Sequence, residues 1–316
     1  MKQKNNDVMI ILSDKDKFDC GALMATIGMF DGVHLGHRFL ISNLIARSHE
    51  SGMKSAVITF RNHPQRVFNP DGTLRMIMTL DERLSTLEQL GVDVAIVLDF
   101  TKDFAKIDST GFMKILHTQY GVKTLIMGFN HRFGCNKDED FDDYQRNAAL
   151  VGVEVERAEE YQGEYSPVSS SLIRKVLEEG RVDLAEKYLT RRFYLEGVVV
   201  PGKQNGRKIG FPTANLDVAE ELVIPHRGVY AVIVTLPDGT QRGGMANIGV
   251  RPTVEKGGKR TFEVNIFDFE GDLYGSTLRV DFVKFMRSEM KMPSFEALKE
   301  RLVLDAQSCK KVLEMK

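Results

Sequence analysis

Short apolar runs alternate with longer amphipathic ones through the first half of the chain. LMATIGMF, SAVITF, DVAIVLDF, KTLIMGF and VEVERA have the length and β-branched content of buried strands, and VMIIL near the N-terminus adds another. Between them LGHRFLISNLIARSHESG, LDERLSTLEQLG, STGFMKILHTQYG and DDYQRNAALVG carry helical periodicity, and SSSLIRKVLEEG closes the series. Strands alternating with helices predict parallel pairing through crossovers, hence an open, doubly wound α/β sheet covered on both faces. Gly52, Gly91 and Gly121 stand where helices should stop, and Asp81 and Ser109 are candidate N-caps.

The pattern changes near Arg181. FYLEGVVVPGK, GVYAVIVTLPDGTQRGGMANIG, TFEVNIFDFEGDLYG and LRVDFVKFM are short β-rich runs with turns between them, and PDGT is a hairpin signal. They predict a small antiparallel β-barrel. The tail from Ser294 reads as one amphipathic helix. With 316 residues, two domains are expected, and the change in pattern puts their boundary at about residue 185, giving 1–185 and 186–316.

Lys and Arg total 43 against 44 Asp and Glu, so the net charge of −1 argues against a nucleic-acid partner. The basic cluster at Arg191–Phe193 reads as a solvated linker. Three widely spaced cysteines without a CxxC support neither a zinc ribbon nor a disulfide framework. VMIIL is too short for a signal-peptide core or a membrane span, so a cytoplasmic protein with no membrane partner is expected. Self-association is left open.

Two places carry candidate chemistry. His34 and His37 follow the strand LMATIGMF at the start of a helix, spaced to face one ligand. Open parallel sheets bind ligands there, and a helix N-terminus favours phosphate. No GxxxxGK[ST] and no GxGxxG occurs, which disfavours P-loop enzymes and dinucleotide dehydrogenases. On the residues alone, solvated histidines or a zinc pair without a visible third ligand remain alternatives. SSSLIR places hydroxyls and then a cation at another helix start, where a cap is the alternative. Downstream, GKQNGRKIGFPTANL combines three glycines with Thr213 and Asn215 two apart, suiting close approach to phosphates; a hairpin loop is the alternative. Alternation in FEVNIFDFEGD puts Glu263, Asn265, Phe267 and Phe269 on one face and Phe262, Val264, Ile266 and Asp268 on the other.

TIGMFDGVHLGH resembles nucleotidyltransferases that transfer an adenylyl group from ATP, in particular the bifunctional riboflavin kinase/FAD synthetase family of bacteria. TFRNHP (Thr59–Pro64), GFNHRFG (Gly128–Gly134) and SSSLIR (Ser169–Arg174) follow in the family's order. GRKIGFPTANL, GVYAV, ANIGVRPT and FEVNIFDFEGDLYG resemble its riboflavin kinase domain, so the likeness spans nearly the whole chain.

The resemblance implies a Rossmann-like adenylyltransferase domain and a kinase barrel making FMN from riboflavin, then FAD with release of pyrophosphate. ATP is the co-substrate, ADP a product, and Mg²⁺ the metal. It implies catalytic roles for His34, His37 and Glu263, the last as the kinase base. It implies ligand contacts by Gly28, Phe30, Asp31, Asn130, Ser170, Ser171, Arg174, Gly206 and Arg207. Thr213 and Asn215 would bind Mg²⁺ and phosphate. Met29, RNHP, His131 and Ser171 depart from the usual family pattern. A chain retaining one activity, or a flavin- or nucleotide-sensing protein, is the alternative to two activities.

Overall fold

The computed structural model describes residues 8–19, 21–70, 72–128, 132–202, 206, 210–250 and 260–314. The chain divides into two compact units, the first ending at Ser170 and the second beginning at Ser171.

The first unit is a six-stranded sheet in the order β1-β4-β3-β2-β5-β6. Its strands are β1 (Ile10–Ser13), β2 (Leu23–Ile27), β3 (Lys54–Phe60), β4 (Val94–Leu98), β5 (Val122–Met127) and β6 (Glu154–Arg157), and every pair is parallel. The expected doubly wound sheet is therefore present. All residues of β2 and β4 are buried, because both sheet faces are covered. Ala25, Ile27, Ile58 and Ile96 pack on one face with Phe112 and Leu116 of α4 (Ser109–Tyr120). Met24, Val57 and Ala95 pack on the other with Ile41 and Leu44 of α1 (Leu35–Glu50) and Leu87 of α3 (Leu80–Leu90). A short α2 (Pro64–Phe68) follows β3, and α5 (Phe141–Ala149) precedes β6. The strand order reverses at β2, whose neighbours are β3 and β5, so the switch-point crevice lies at the carboxyl end of β2.

Helix ends are set by residues one or two places from those expected. Thr79, not Asp81, caps α3, in a reciprocal capping box with Glu82. Asp108, not Ser109, caps α4 by accepting from the Gly111 amide. In both cases the residue just outside the helix has the extended backbone a cap requires, whereas Asp81 and Ser109 are already helical. Gly91 and Gly121 close α3 and α4 in the left-handed conformation; Gly52 lies one residue past the Ser51 cap of α1.

The division falls at the first residue of α6 (Ser170–Glu178), which is followed in the second unit by α7 (Val182–Leu189), a helix the sequence pattern does not predict. Then β7 (Tyr194–Val200), β8 (Ala214–Val218), β9 (Gly228–Thr235), β10 (Gln241–Val250), β11 (Arg260–Ile266) and β12 (Thr277–Arg287) close into an antiparallel barrel in the order β10-β11-β8-β7-β12-β9. Phe262, Phe282 and Tyr230 fill its interior, with the two Phe rings stacked at 5.7 Å. The terminal helix α8 (Phe295–Glu314) opens at Ser294, whose Oγ accepts from the Ala297 amide. It packs through Leu302, Ala306 and buried Cys309 on Ala231, Met245 and Phe267. Arg191 stacks on Tyr194 and Arg192 faces Glu186 at 3.6 Å, so the basic cluster makes packing contacts.

The capping assignment is testable. Thr79→Ala should lower stability by about 1 kcal/mol in urea denaturation, whereas Asp81→Ala should cost less, having no cap bond to lose.

Candidate active sites

The turn from β2 into α1 is backbone under strain. Phe30 has φ 49° and Val33 φ 42°, flanking Gly32 at 84°. A β-branched residue at positive φ is an outlier, and such positions cost about 1–3 kcal/mol each unless the surroundings over-determine them. Here they do. The Asp31 carboxylate accepts from the Ile77 amide at 2.8 Å and the Met78 amide at 3.4 Å. Ser170 Oγ donates to the Asp31 carbonyl at 2.8 Å, and Arg38 Nε donates to the Val33 carbonyl at 3.2 Å. Phe30 and Asp31 are each 1% exposed, so their side chains anchor the turn from behind rather than face solvent. At Gly28 a Cβ would press on the Phe30 ring at 3.2 Å.

This turn delivers His34 to the N-cap of α1. Its Nδ1 accepts from the His37 amide at 3.4 Å, and the two imidazoles stack at 3.6 Å with an 18° tilt. Phe30 meets His37 edge-on at 5.1 Å. Burial alone pushes the His34 pKa down to about 4, so the ring is neutral at physiological pH. With Nδ1 accepting, the ring proton sits on Nε2, which makes His34 a neutral donor. At the first turn of α6, Arg174 Nη2 lies 3.4 Å from Ser171 Oγ. Asn130 and His131 lie outside the described residues, as does Arg207 of the glycine loop.

One feature of this unit had no signal in the sequence reading. Phe60 at the end of β3, Phe100 and Phe104 beyond β4, and Phe133 beyond β5 belong to a run of aromatic rings. Phe68, 61% exposed, meets Phe100 at 6.1 Å, and Phe112 links Phe104 to Phe133. Apart from Phe100 and Phe104, which follow β4 four residues apart, the rings sit in different segments, so no local spacing could have grouped the whole run.

In the second unit, register aligns the polar groups. Glu263 of β11 is paired with Asn215 of β8 on one side and Asn247 of β10 on the other. Thr213, just before β8, lies 3.4 Å from Glu263 Oε2. The Asn265 amide donates to the Pro212 carbonyl at 2.8 Å and so fixes the turn that carries Thr213. Gly202 and Gly206 are needed here: a Cβ on the first would collide with the Asn215 amide, and one on the second with the Phe211 carbonyl.

Two cavities meet at Thr213. One, of about 300 Å³, is lined by Glu263, Asn265 and Arg287 and walled by Phe211, Met290, Met292 and Leu302. The other, of about 290 Å³, lies against Val264 and Ile266 and is closed by Pro212, Gly271 and Tyr274. The face expected for Glu263 is correct for Asn265 and for Phe267, whose amide still bonds to the Gly243 carbonyl and whose ring packs beneath α8 with Met245, a residue that also lines the Glu263 cavity. Asp268 then turns to φ 53°, which breaks the alternation, and Phe269 lines the second cavity. The methionine-rich wall and Asn247 were not singled out in the sequence.

A family model described as FAD synthetase matches residues 17–172, and one described as riboflavin kinase matches residues 189–313. The chain thus combines two transferase modules. It is 38% identical to the bifunctional riboflavin kinase/FMN adenylyltransferase of Pseudomonas fluorescens over 89% of this chain and 90% of the relative. The enzyme of that description from Haemophilus influenzae is 35% identical over 90% and 92%. The chain belongs to the bifunctional riboflavin kinase/FMN adenylyltransferase family. A crystal structure from Streptococcus pneumoniae, described as a macrolide-efflux protein, is 30% identical and superposes with a TM-score of 0.86 over 96% of this chain and 99% of that one. Among the described residues of the present chain, no helix is long and apolar enough to cross a membrane.

The depressed His34 pKa has a consequence for stability. The folded value of about 4 lies below the ordinary 6.5, so between them the unfolded chain binds more protons and stability falls as pH is lowered through that window. An NMR titration of the ring should find the neutral Nε2–H form above the window's lower end. A midpoint at the ordinary value would contradict the burial argument.

Proposed function

We propose that the second unit phosphorylates riboflavin with ATP to give FMN and ADP, and that the first joins AMP from a second ATP to FMN, releasing pyrophosphate and forming FAD. Residues 1–185 and 186–316 would carry the adenylyltransferase and kinase activities, in the cytoplasm. Family membership supports the pair of reactions. The observation that carries the kinase assignment is the meeting of two cavities at Thr213, beside Glu263.

The methionine-walled cavity suits a flat, apolar flavin ring, and the adjoining one a nucleotide. Phosphoryl transfer then takes place at their junction. Glu263 accepts the proton of the flavin's terminal ribityl hydroxyl as the γ-phosphoryl group arrives. Thr213 and Asn215 offer hard oxygen donors suited to Mg²⁺, and Gly206 and Arg207 belong to the loop that approaches the phosphates. Among the described residues no cluster of three or more His, Cys, Asp or Glu could bind a metal unaided, which fits an ion that shares the nucleotide's oxygens. Mg²⁺ there would neutralise phosphate charge.

In the first unit His34 and His37 donate to the ATP phosphates and stabilise charge that develops as pyrophosphate leaves. Ser170, Ser171 and Arg174 hold the distal phosphates, assisted by Asn130, while Gly28, Phe30 and Asp31 shape the turn. The aromatic run from Phe68 inward offers FMN a stacking surface.

Chromatography of riboflavin incubated with MgATP should show both FMN and FAD; one product would indicate a single activity, and none a sensor. His37→Ala should slow FAD formation by about 10²–10³-fold with FMN formation intact. Retention of half the adenylylation rate would leave His37 a helix-start residue only.

Glu263→Gln should slow riboflavin phosphorylation by about 10²-fold or more and leave FAD formation from supplied FMN unchanged. Asp268→Asn should leave both near wild type, since Asp268 is exposed and paired with Lys310 on α8. Loss of activity in the Asp268 variant alone would move the base to that residue.

A further inference from the structure

Arg83 of α3 is 1% exposed, and a buried guanidinium is costly unless its N–H groups find acceptors. Among the described residues all of its hydrogen bonds run from one nitrogen. Nη1 donates to the Met29 carbonyl at 2.8 Å, Thr59 Oγ1 at 2.6 Å and the Phe60 carbonyl at 3.0 Å. Nε meets no acceptor among the described residues. Burial lowers the Arg83 pKa to about 10, with Asp31 opposing the shift, so the side chain keeps its charge at neutral pH.

The acceptors mark the purpose. Phe60 is the last residue of β3, and Met29 is the residue from which the chain enters the strained turn at Phe30. Two places further on, Asp31 is gripped by the Ile77 and Met78 amides. One short segment, Ile77–Arg83, therefore clamps the turn at both Met29 and Asp31. An apolar side chain of similar volume would fill the space as well, and replacing buried charge in that way is often neutral or stabilising. What it would not do is donate to the Met29 carbonyl or hold Thr59 Oγ1, which itself donates to that carbonyl at 3.2 Å.

We propose that Arg83 is a positioning residue for adenylyl transfer, holding the carbonyl of Met29 so that the strained turn presents the stacked His34–His37 pair in its working geometry. This rests on the assignment of adenylyl transfer to the first unit. Arg83 touches no reacting atom; it acts through the turn.

The single-nitrogen geometry gives a sharp test. A lysine Nζ carries three protons for three acceptors, so Arg83→Lys can replace the clamp, whereas Arg83→Met keeps the bulk and removes it. In the full-length enzyme, Arg83→Met should lower kcat for FAD formation by about 10²-fold, the scale of an ångström-sized misplacement, with FMN formation unchanged. Its His34 and His37 ring resonances should shift in NMR spectra. Arg83→Lys should keep kcat within about threefold of wild type, with wild-type ring resonances. Should Arg83→Met fail to fold, Arg83→Gln, with two neutral donors, takes its place: partial loss of rate accompanied by shifted resonances supports the clamp. The proposal is overturned if the Met or Gln variant turns over like wild type, if it is slow with unmoved histidine resonances, or if Arg83→Lys is as slow as the Met variant. A wild-type enzyme that makes no FAD would instead strike the functional assignment, and the resonances would still report on the clamp.

Discussion

A chain leaving a parallel strand for a helix must change direction while keeping its backbone amides occupied, and at β2 it does so through two non-glycine residues at positive φ. Such a turn is not stable by itself. It exists because buried polar groups from distant segments hold it: the Ile77 and Met78 amides, the Arg83 guanidinium and the Ser170 hydroxyl. The imidazole pair follows from that constraint, since His34 reaches the cap of α1, and stacks on His37, only if the turn arrives in this conformation. Electrostatics follow too. The site's first histidine is dehydrated and uncharged, so under the proposed function it would meet a phosphate as a hydrogen-bond donor already in place rather than as a cation.

The second unit solves a related problem by register rather than strain. With Asn247, Glu263 and Asn215 directly opposed on three neighbouring strands, a one-residue slip of β11 would turn Glu263 into the barrel and Val264 out of it. The packing of Phe262 against Phe282 opposes that slip. Core aromatics thus hold a carboxylate beside Thr213 at the junction of two cavities.

Architecture was legible in the sequence where periodicity is strong. Every run read as a strand in the first half forms one, and the change of pattern near Arg181 precedes the barrel. His34 and Glu263 were legible because motif and periodicity converge on them. What escaped depends on distance or on broken periodicity. A lone arginine in LDERLSTLEQLG reads as solvated, and only the fold shows that it reaches Met29 and Phe60. The phenylalanines of the aromatic run come from several segments, with only Phe100 and Phe104 close in sequence, and no local window can join them all. Phe269 leaves the expected face because the alternation breaks at Asp268, where φ is 53°. Thr79 and Asp108 are hard to single out as caps because each has another plausible one within two residues, Asp81 and Ser109.

Sheet closure also divides the two units in their exposure to misassembly. Among the described residues the barrel closes on itself, since β9 pairs with both β10 and β12, although β8 and β11 are paired at only two positions. The open sheet ends at β1 and β6, each with one side that could template a foreign strand. Both are only four residues long, which limits the ladder a second chain could join. Yet Ile11 on β1 is 54% exposed, so the greasier of the two edges lies in the unit that is synthesised before the barrel. Aggregation during synthesis would begin there, while the barrel, once closed, has a paired neighbour on both sides of every strand and so offers a second chain far less.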